Sequence, residues 1–348
     1  MLVLDGNNSL KRMKTARGQR EVGDSRELVD SDYFLSNTFV DSFGDEVQQS
    51  AEMGVKEEPD IGTDGDGDDS GYVTDVDGTQ SQLENCATNW KAAASKEKKR
   101  MWGVFDETGV FACACPHGFV LWIADMVQSG ELYLVLIFFH YVHGTDTYSR
   151  AKYPLAMVSK ALDVFGERLL IGYDIGCVFG RTILSSSLGP KFQSSGSRTC
   201  VNAFHGYSHN YECQCRNHPN NIAGVGLEDL ETLERVFGSS NALAPVTRYA
   251  STYRRRLYIE MHFKQWNEDK YLNLATMLTN NYRQALEIIK NDGRAVEEAK
   301  HSLGVTDDDM EAWKVEQEEY FSTLGDESES KVRTIAYVEQ LQKLRKLE

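Results

Sequence analysis

Proline is scarce, at six of 348 residues, and no segment is proline-rich. That excludes collagen-like and polyproline architectures. Long apolar runs are also missing. The longest, Leu132 to Val142, is eleven residues and contains His140, whereas a membrane-spanning helix needs about 20. The opening MLVLDGNNSLKR has an apolar run of three or four residues, too short for the core of a secretory leader. Cysteine is sparse. Its seven copies are odd in number and clustered, which fits reduced thiols or metal ligands better than a disulfide framework. Together these absences point to an intracellular protein with no membrane segment.

Basic charge is in deficit, with 37 Lys and Arg against 53 Asp and Glu, for a net charge of -16. The deficit is local. Residues 21 to 80 hold eighteen acidic residues against Arg26 and Lys56, which accounts for the whole excess. The remainder of the chain is neutral and free to carry basic patches that bind phosphates. Residues 1 to 82 are therefore read as a disordered acidic tail. Within it, GTDGDGDDSGYVTDVDG starts like a calcium loop. Asp69 stands where the sharp turn needs Gly, and Asp75 where the bidentate Glu belongs, so calcium is rejected. The basic NSLKRMKTARGQR is either a nuclear address or a solvated tail.

Order is expected from residue 83. NWKAAASKEKKRM reads as a helix. RMWGVFDETGVFACACPHGFVLWIAD holds three apolar runs separated by Glu107-Thr108-Gly109 and Pro116-His117-Gly118, which predicts antiparallel strands over about 101–106, 110–115 and 119–124. YPLAMVSKALDVFG has Leu155, Val158, Ala161, Leu162 and Phe165 at helical spacing, with Gly166 as a stop. RLLIGYD is a short buried strand ending at Asp174. Residues 177–224 form a Ser- and Gly-rich insertion, and LEDLETLERVFG a further helix. The pattern is then helical to the end, with 83–290 as the main domain and 291–348 as a helical C-terminal region.

Strand, strand, strand, helix, strand and later helix is the element order of the ribonuclease H-like fold. The fold class expected is therefore α/β, with three antiparallel strands, a helix and a parallel strand. Asp106 and Asp174 would end neighbouring strands, with a third acid on the later helix. Carboxylates that converge in this way repel each other unless cations lie between them. Two Mg²⁺ or Mn²⁺ ions would meet that need and serve phosphoryl displacement. The plainer reading of Asp106 is a turn opener before Glu107-Thr108-Gly109.

Several segments carry a resemblance. NWKAAASKEKKRMWGVFDETGVFACACPHGFVLWIADMVQSGEL, AKYPLAMVSKALDVFGERLLIGYDIGCVFGRTI, CVNAFHGYSHNYECQ and NHPNNIAGVGLEDLETLERVFGSSNALAPVTRYASTYRRRL resemble the transposase domain of the fungal KDZ (Kyakuja-Dileera-Zisupton) family. The resemblance implies a DDE transposase that cuts and joins DNA ends with two metal ions, acting in the nucleus as a homo-oligomer on transposon ends. By resemblance, Asp106 and Asp174 match the first two catalytic acids. The third-acid pattern is Asp-Gly-Glu-x-x-Glu-Arg. It places Glu231 on the catalytic position, Glu234 as the alternative and Leu230 where the pattern has Gly. The chain departs from the family in three ways. The N-terminal cysteine cluster is missing, the chain is short, and YLVLIFFHYVHGTDTYSR (133–150) interrupts the pattern like a translated retained intron. The second functional reading is accordingly a decayed or domesticated fragment that binds DNA or zinc without catalysis. A ribonuclease acting on RNA is a third and weaker reading.

His205, His209 and Cys213 are spaced i, i+4, i+8, which stacks them on one helical face. With Cys200 as the fourth ligand they predict a structural zinc site. Cys215, Cys177 or His218 are the other candidates for that fourth position. The rivals are a packed loop of free thiols, and a role for His205 or His209 as a general base or phosphate contact. In RYASTYRRRLY, Arg254, Arg255 and Arg256 with Tyr249, Tyr253 and Tyr258 are candidates to bind DNA. The plainer reading is a solvated helix face.

Overall fold

The computed structural model describes residues 1–14, 24–28, 31–44, 46, 104–127 and 151–323, with Tyr337, Val338 and Arg345. The helix expected over NWKAAASKEKKRM, the rejected calcium loop, the insertion 133–150 and nearly all of the tail 331–348 lie outside the described residues.

Strands are β1 (Leu2–Asn7), β2 (Arg12–Met13), β3 (Phe105–Ala114), β4 (Val120–Val127), β5 (Leu170–Gly172) and β6 (Arg198–Cys200). Helices are α1 (Asn37–Asp41), α2 (Lys152–Phe165), α3 (Gly176–Leu184), α4 (Gly189–Ser194), α5 (Ala203–Gly206), α6 (Tyr211–Asn217), α7 (Thr232–Ser240), α8 (Ala244–Thr247), α9 (Thr252–Leu303) and α10 (Asp307–Thr323). The sheet runs β4-β3-β1-β5-β6, with β2 continuing along β3 beyond the end of β1. β3 is antiparallel to both β1 and β4, while β1, β5 and β6 are parallel.

Period-two alternation explains the layers. Leu2, Leu4, Phe111 and Cys113 face one core, which α1 to α4 cover with Leu155, Val158, Phe179 and Phe192. Val3, Val110, Ala112 and Ala114 face a second core, closed by Leu233 and Val236 of α7 and by Ile259 and Phe263 of α9. The sheet is thus a middle layer, buried on both faces. Beyond Phe263, α9 continues as a mostly exposed rod of helix to Leu303.

Two expectations are corrected. First, β1 is a central strand with Val3 and Leu4 essentially inaccessible, so residues 1–82 do not begin as a disordered tail. Phe34, Leu35, Val40 and Phe43 also pack onto the cores. Second, Glu107-Thr108-Gly109 is no turn. β3 passes straight through it, with a register shift opposite β4. Gly109 is required by close packing: a Cβ there would lie 2.2 Å from the Asn7 carbonyl oxygen and 2.7 Å from Met126 Cε. The antiparallel meander is therefore β1, β3 and β4. The expected helix over YPLAMVSKALDVFG and the expected strand before Asp174 are present as α2 and β5.

α9 is anchored by one buried network. Arg255 is fully buried and donates to the carbonyls of Leu10 (2.9 Å) and Gly109 (3.0 Å) and to Asp125. Arg256 donates to the other Asp125 oxygen at 2.6 Å and to Asn37 at 2.9 Å. Burial alone would raise the Asp125 carboxyl, and the two guanidiniums overcome it, holding the group below its ordinary value.

Candidate active site

The parallel pairing of β1 with β5 matches Leu2 to Ile171 and Val3 to Gly172. Two residues further along each chain, Asp5 stands level with Asp174. Asp5 shares the parity of Val3, so it lies on the sheet face covered by α7. It is buried at 5% exposure, and the Gly6 amide donates to its Oδ1 at 2.7 Å.

Asp174 sits in the turn between β5 and α3. Asn202, at the start of α5, donates from Nδ2 to its Oδ1 at 2.9 Å. His205 Nδ1 lies 3.2 Å from Asp174 Oδ1 and 3.6 Å from Glu231 Oε1, so the imidazole bridges the two carboxylates. Glu231 also accepts the Phe204 amide at 2.8 Å. The carboxyl of Asp174 is pushed up to about 8, first by burial and then by the charge of Asp5; His205 opposes this, and Glu231 and Glu234 add to it. His205 is pushed up to about 9, first by its contact with Glu231; burial opposes that, and Asp174 reinforces it. Acidic charge is in excess here.

Glu231 precedes α7 rather than riding on it. The helix begins at Thr232, and Leu230 holds a left-handed φ of 57°. That conformation is costly for a residue with a Cβ, and it occurs where the family pattern has Gly. Leu230 is fully buried, and its Cβ stands 3.0 Å from the point a Cβ on Gly172 would occupy. The turn is fixed further by Ala203 donating to the Asp229 carbonyl at 2.9 Å, and by Asp229, whose side chain accepts the Glu231 amide (2.9 Å) and Arg235 (2.8 Å). The helix expected over LEDLETLERVFG therefore starts only at Thr232, which leaves Glu228 and Glu231 ahead of it and Glu234 on it. Glu234 is exposed on the first turn of α7, and Glu231 is the acid turned to Asp174.

The structure does not bring Asp106 to this place. Ala112 is the β3 residue paired with Asp5, and Asp106 lies six residues further along that strand, about 20 Å at roughly 3.3 Å per residue. Its carboxylate pairs with Arg12 at 3.1 Å, beside the Arg12–Glu107 pair. Asp5 occupies the place expected for Asp106. Sequence reasoning missed it although LVLD at residues 2–5 and LIGYD at 170–174 share a signal, a short apolar run ended by Asp.

The expected zinc set is corrected in two members. α5 and α6 are separate helices, so the i, i+4 spacing of His205 and His209 does not stack them. His205 faces the carboxylates. Cys200 is buried in β6, its thiol directed at the Ile171 carbonyl at 3.8 Å. His209 and Cys213 do converge, and Cys177 of α3 joins them, the three donor atoms lying within 4.8 Å of one another. This group is able to hold a metal ion. His218, another candidate ligand, contacts the Ala203 carbonyl at 3.1 Å instead, and Cys215 stands outside the cluster. Of the arginines expected to bind DNA, Arg255 is buried and Arg256 is held by Asp125 and Asn37; Arg254 is exposed.

Oxygen donors from Asp5, Asp174 and Glu231, in a buried setting whose negative charge one histidine does not balance, suit a hard divalent cation. No helix among the described residues is long and apolar enough to cross a membrane. No curated protein and no solved structure matches the chain. The KDZ family model, described as Kyakuja-Dileera-Zisupton transposase, matches residues 1–267, from β1 through the anchored part of α9 and so across both cores and the carboxylate site. The chain belongs to the Kyakuja-Dileera-Zisupton transposase family.

Proposed function

We propose that this transposase domain is a ribonuclease H-like DDE enzyme that cuts and joins DNA, with Asp5, Asp174 and Glu231 as its carboxylate triad. The observation that carries this reading is the β1–β5 register, which sets Asp5 level with Asp174 while His205 links Asp174 to Glu231. The strand order β4-β3-β1-β5-β6, antiparallel as far as β1 and parallel from β1 through β5 to β6, with helices on both faces, supports the fold assignment.

Asp5, Asp174 and Glu231 would hold Mg²⁺ or Mn²⁺. A bound pair of such ions activates water or a 3′-hydroxyl and stabilises an in-line phosphoryl displacement. The chain's own residues orient and balance the acids. Asn202 fixes the Asp174 oxygen, the Phe204 amide fixes Glu231, and His205 holds a proton between the two carboxylates. Transposon-end DNA is the substrate in this reading, reached in the nucleus by a homo-oligomer. Arg254 is the one exposed member of the arginine run that can meet phosphate.

The test is strand cleavage and joining on element-end DNA with Mg²⁺ or Mn²⁺. Asp5→Asn, Asp174→Asn and Glu231→Gln should each lower the rate by about 10³-fold or more, and Asp106→Asn should stay within a few-fold of the parent. Loss in Asp106→Asn with activity kept in Asp5→Asn would overturn the assignment.

A further inference from the structure

Cys177, His209 and Cys213 come from three places: the first turn of α3, the loop after α5, and α6. His209 Nδ1 lies 3.5 Å from Cys177 Sγ and 3.4 Å from Cys213 Sγ. A tetrahedral zinc with Zn–S of about 2.3 Å and Zn–N of about 2.0–2.1 Å separates such donors by about 3.5 Å. The two nitrogen–sulfur separations match those of a tetrahedral coordination sphere, and all three donors lie within 4.8 Å of one another. His209 and Cys213 are buried at 5% and 4% exposure.

The hydrogen bonds set the tautomer. His209 Nε2 is 3.0 Å from the Asp174 carbonyl oxygen, which can only accept, so Nε2 carries the proton and Nδ1 presents a lone pair. Both sulfurs face that lone pair. A divalent cation satisfies all three donors at once. Further contacts support the set. Asn210 caps α6 by accepting the Cys213 amide at 2.8 Å, and the Asn217 side-chain amide lies 3.6 Å from Cys213 Sγ. Gln214 holds the His209 carbonyl at 2.7 Å. Gly176 allows α3 to start against β6, since a Cβ there would lie 1.9 Å from the Cys200 carbonyl oxygen.

We propose that Cys177, His209 and Cys213 bind one zinc ion that staples the insertion to the turn carrying Asp174. Zn²⁺ displaces one proton from each thiol, giving a neutral dithiolate centre, with water at the fourth position. The ion grips that turn twice. Cys177 is three residues beyond Asp174, and His209 donates its other ring N–H to the Asp174 carbonyl, as metal-bound histidines commonly do to a carbonyl. The zinc site stands whether or not Asp174 is catalytic. The positioning of Asp174 for a second metal rests on the proposed triad.

The experiment is metal analysis of the full chain purified without added metal or chelator, followed by cobalt substitution. About one zinc per chain is expected, with thiolate-to-cobalt charge-transfer bands in the near ultraviolet and intense tetrahedral visible bands. Cys177→Ser and Cys213→Ser should lose zinc, and Cys215→Ser should keep it. A folded parent chain with neither zinc nor the cobalt spectrum overturns the site, as does a Cys177–Cys213 disulfide or zinc retention in Cys177→Ser. If the serine variants do not fold, the charge-transfer intensity of the parent counts its thiolates by itself. Zinc-stripped folded protein should bind Mn²⁺ at the carboxylates about tenfold more weakly, read by electron paramagnetic resonance. Unchanged Mn²⁺ affinity beside an intact zinc site overturns the positioning alone. Asp174→Asn should retain zinc, which separates failure of the triad from failure of this site.

Discussion

Two aspartates withdrawn from solvent, Asp125 fully and Asp174 in large part, behave in opposite ways. Asp125 is enclosed by Arg255 and Arg256, each on its own oxygen, and its carboxyl is held below the ordinary value. Asp174 has a half-buried histidine and an asparagine for company, with Asp5 and Glu231 nearby, and its carboxyl is pushed up to about 8. Desolvation raises both carboxyls, so it is not what separates them. The difference is compensation. The first site is electrically complete and joins α9 to the sheet. The second is short of positive charge, which fits the cation site proposed for it.

The largest effect expected from this contrast is on activity. Asp174→Asn should abolish strand joining while raising the melting temperature in divalent-free buffer, because it removes a charge the fold disfavours; a fall in melting temperature would break the contrast. Asp125→Asn should do the reverse. It leaves Arg255 buried without its carboxylate and should cost about 3–5 kcal/mol, measured by urea denaturation.

A third prediction uses pH. A depressed carboxyl contributes stability that is present above its unfolded value, about 3.9, and is lost as pH falls through the lower folded value. The stability gap between the parent and Asp125→Asn should therefore be level from pH 5 to 7 and narrow only below about pH 4. Narrowing near neutrality would mean that the arginines do not hold Asp125 ionised.

A smaller effect probes the turn before Glu231. Gly172→Ala brings a methyl within 3.0 Å of Leu230 Cβ and Asn202 Oδ1, and should cost about 1–3 kcal/mol. Combined with Leu230→Gly, which removes that neighbour and the left-handed penalty, the cost of the alanine should largely vanish in a double-mutant cycle. The smallest effect is Arg254→Ala. It should weaken DNA binding a few-fold and reduce the salt slope by about one, with stability unchanged, whereas Arg256→Ala should lower stability.

Local periodicity made part of the fold legible. The apolar stripe of α2, the stop at Gly166 and the run that ends in Asp174 depend on near neighbours in the chain, and the sequence displays those. β1 was hidden because its partner β3 is about a hundred residues away and an acid-rich stretch comes after it, so LVLD looked like the start of a tail. Gly109 has the composition of a turn, but its reason for being Gly is the Asn7 backbone across the sheet. His205 and His209 have helical spacing, yet the chain breaks between α5 and α6 and sends one ring to the carboxylates and the other to the sulfurs. Cys177 belongs to a different element from Cys213, so spacing carries no mark of their meeting.

The position of β1 has a consequence for synthesis. Its partners β3 and β5 begin at residues 105 and 170, so the strand bearing Asp5 leaves the ribosome first and depends most on segments made later. At about 5–20 residues per second, β1 waits roughly 5–20 s for β3 alone. During that time its Leu2-Val3-Leu4 edge is an unpaired, apolar strand open to other chains. Crowding of nascent chains should therefore cost this protein more than its final stability suggests, and slower delivery or a holding chaperone should raise its yield.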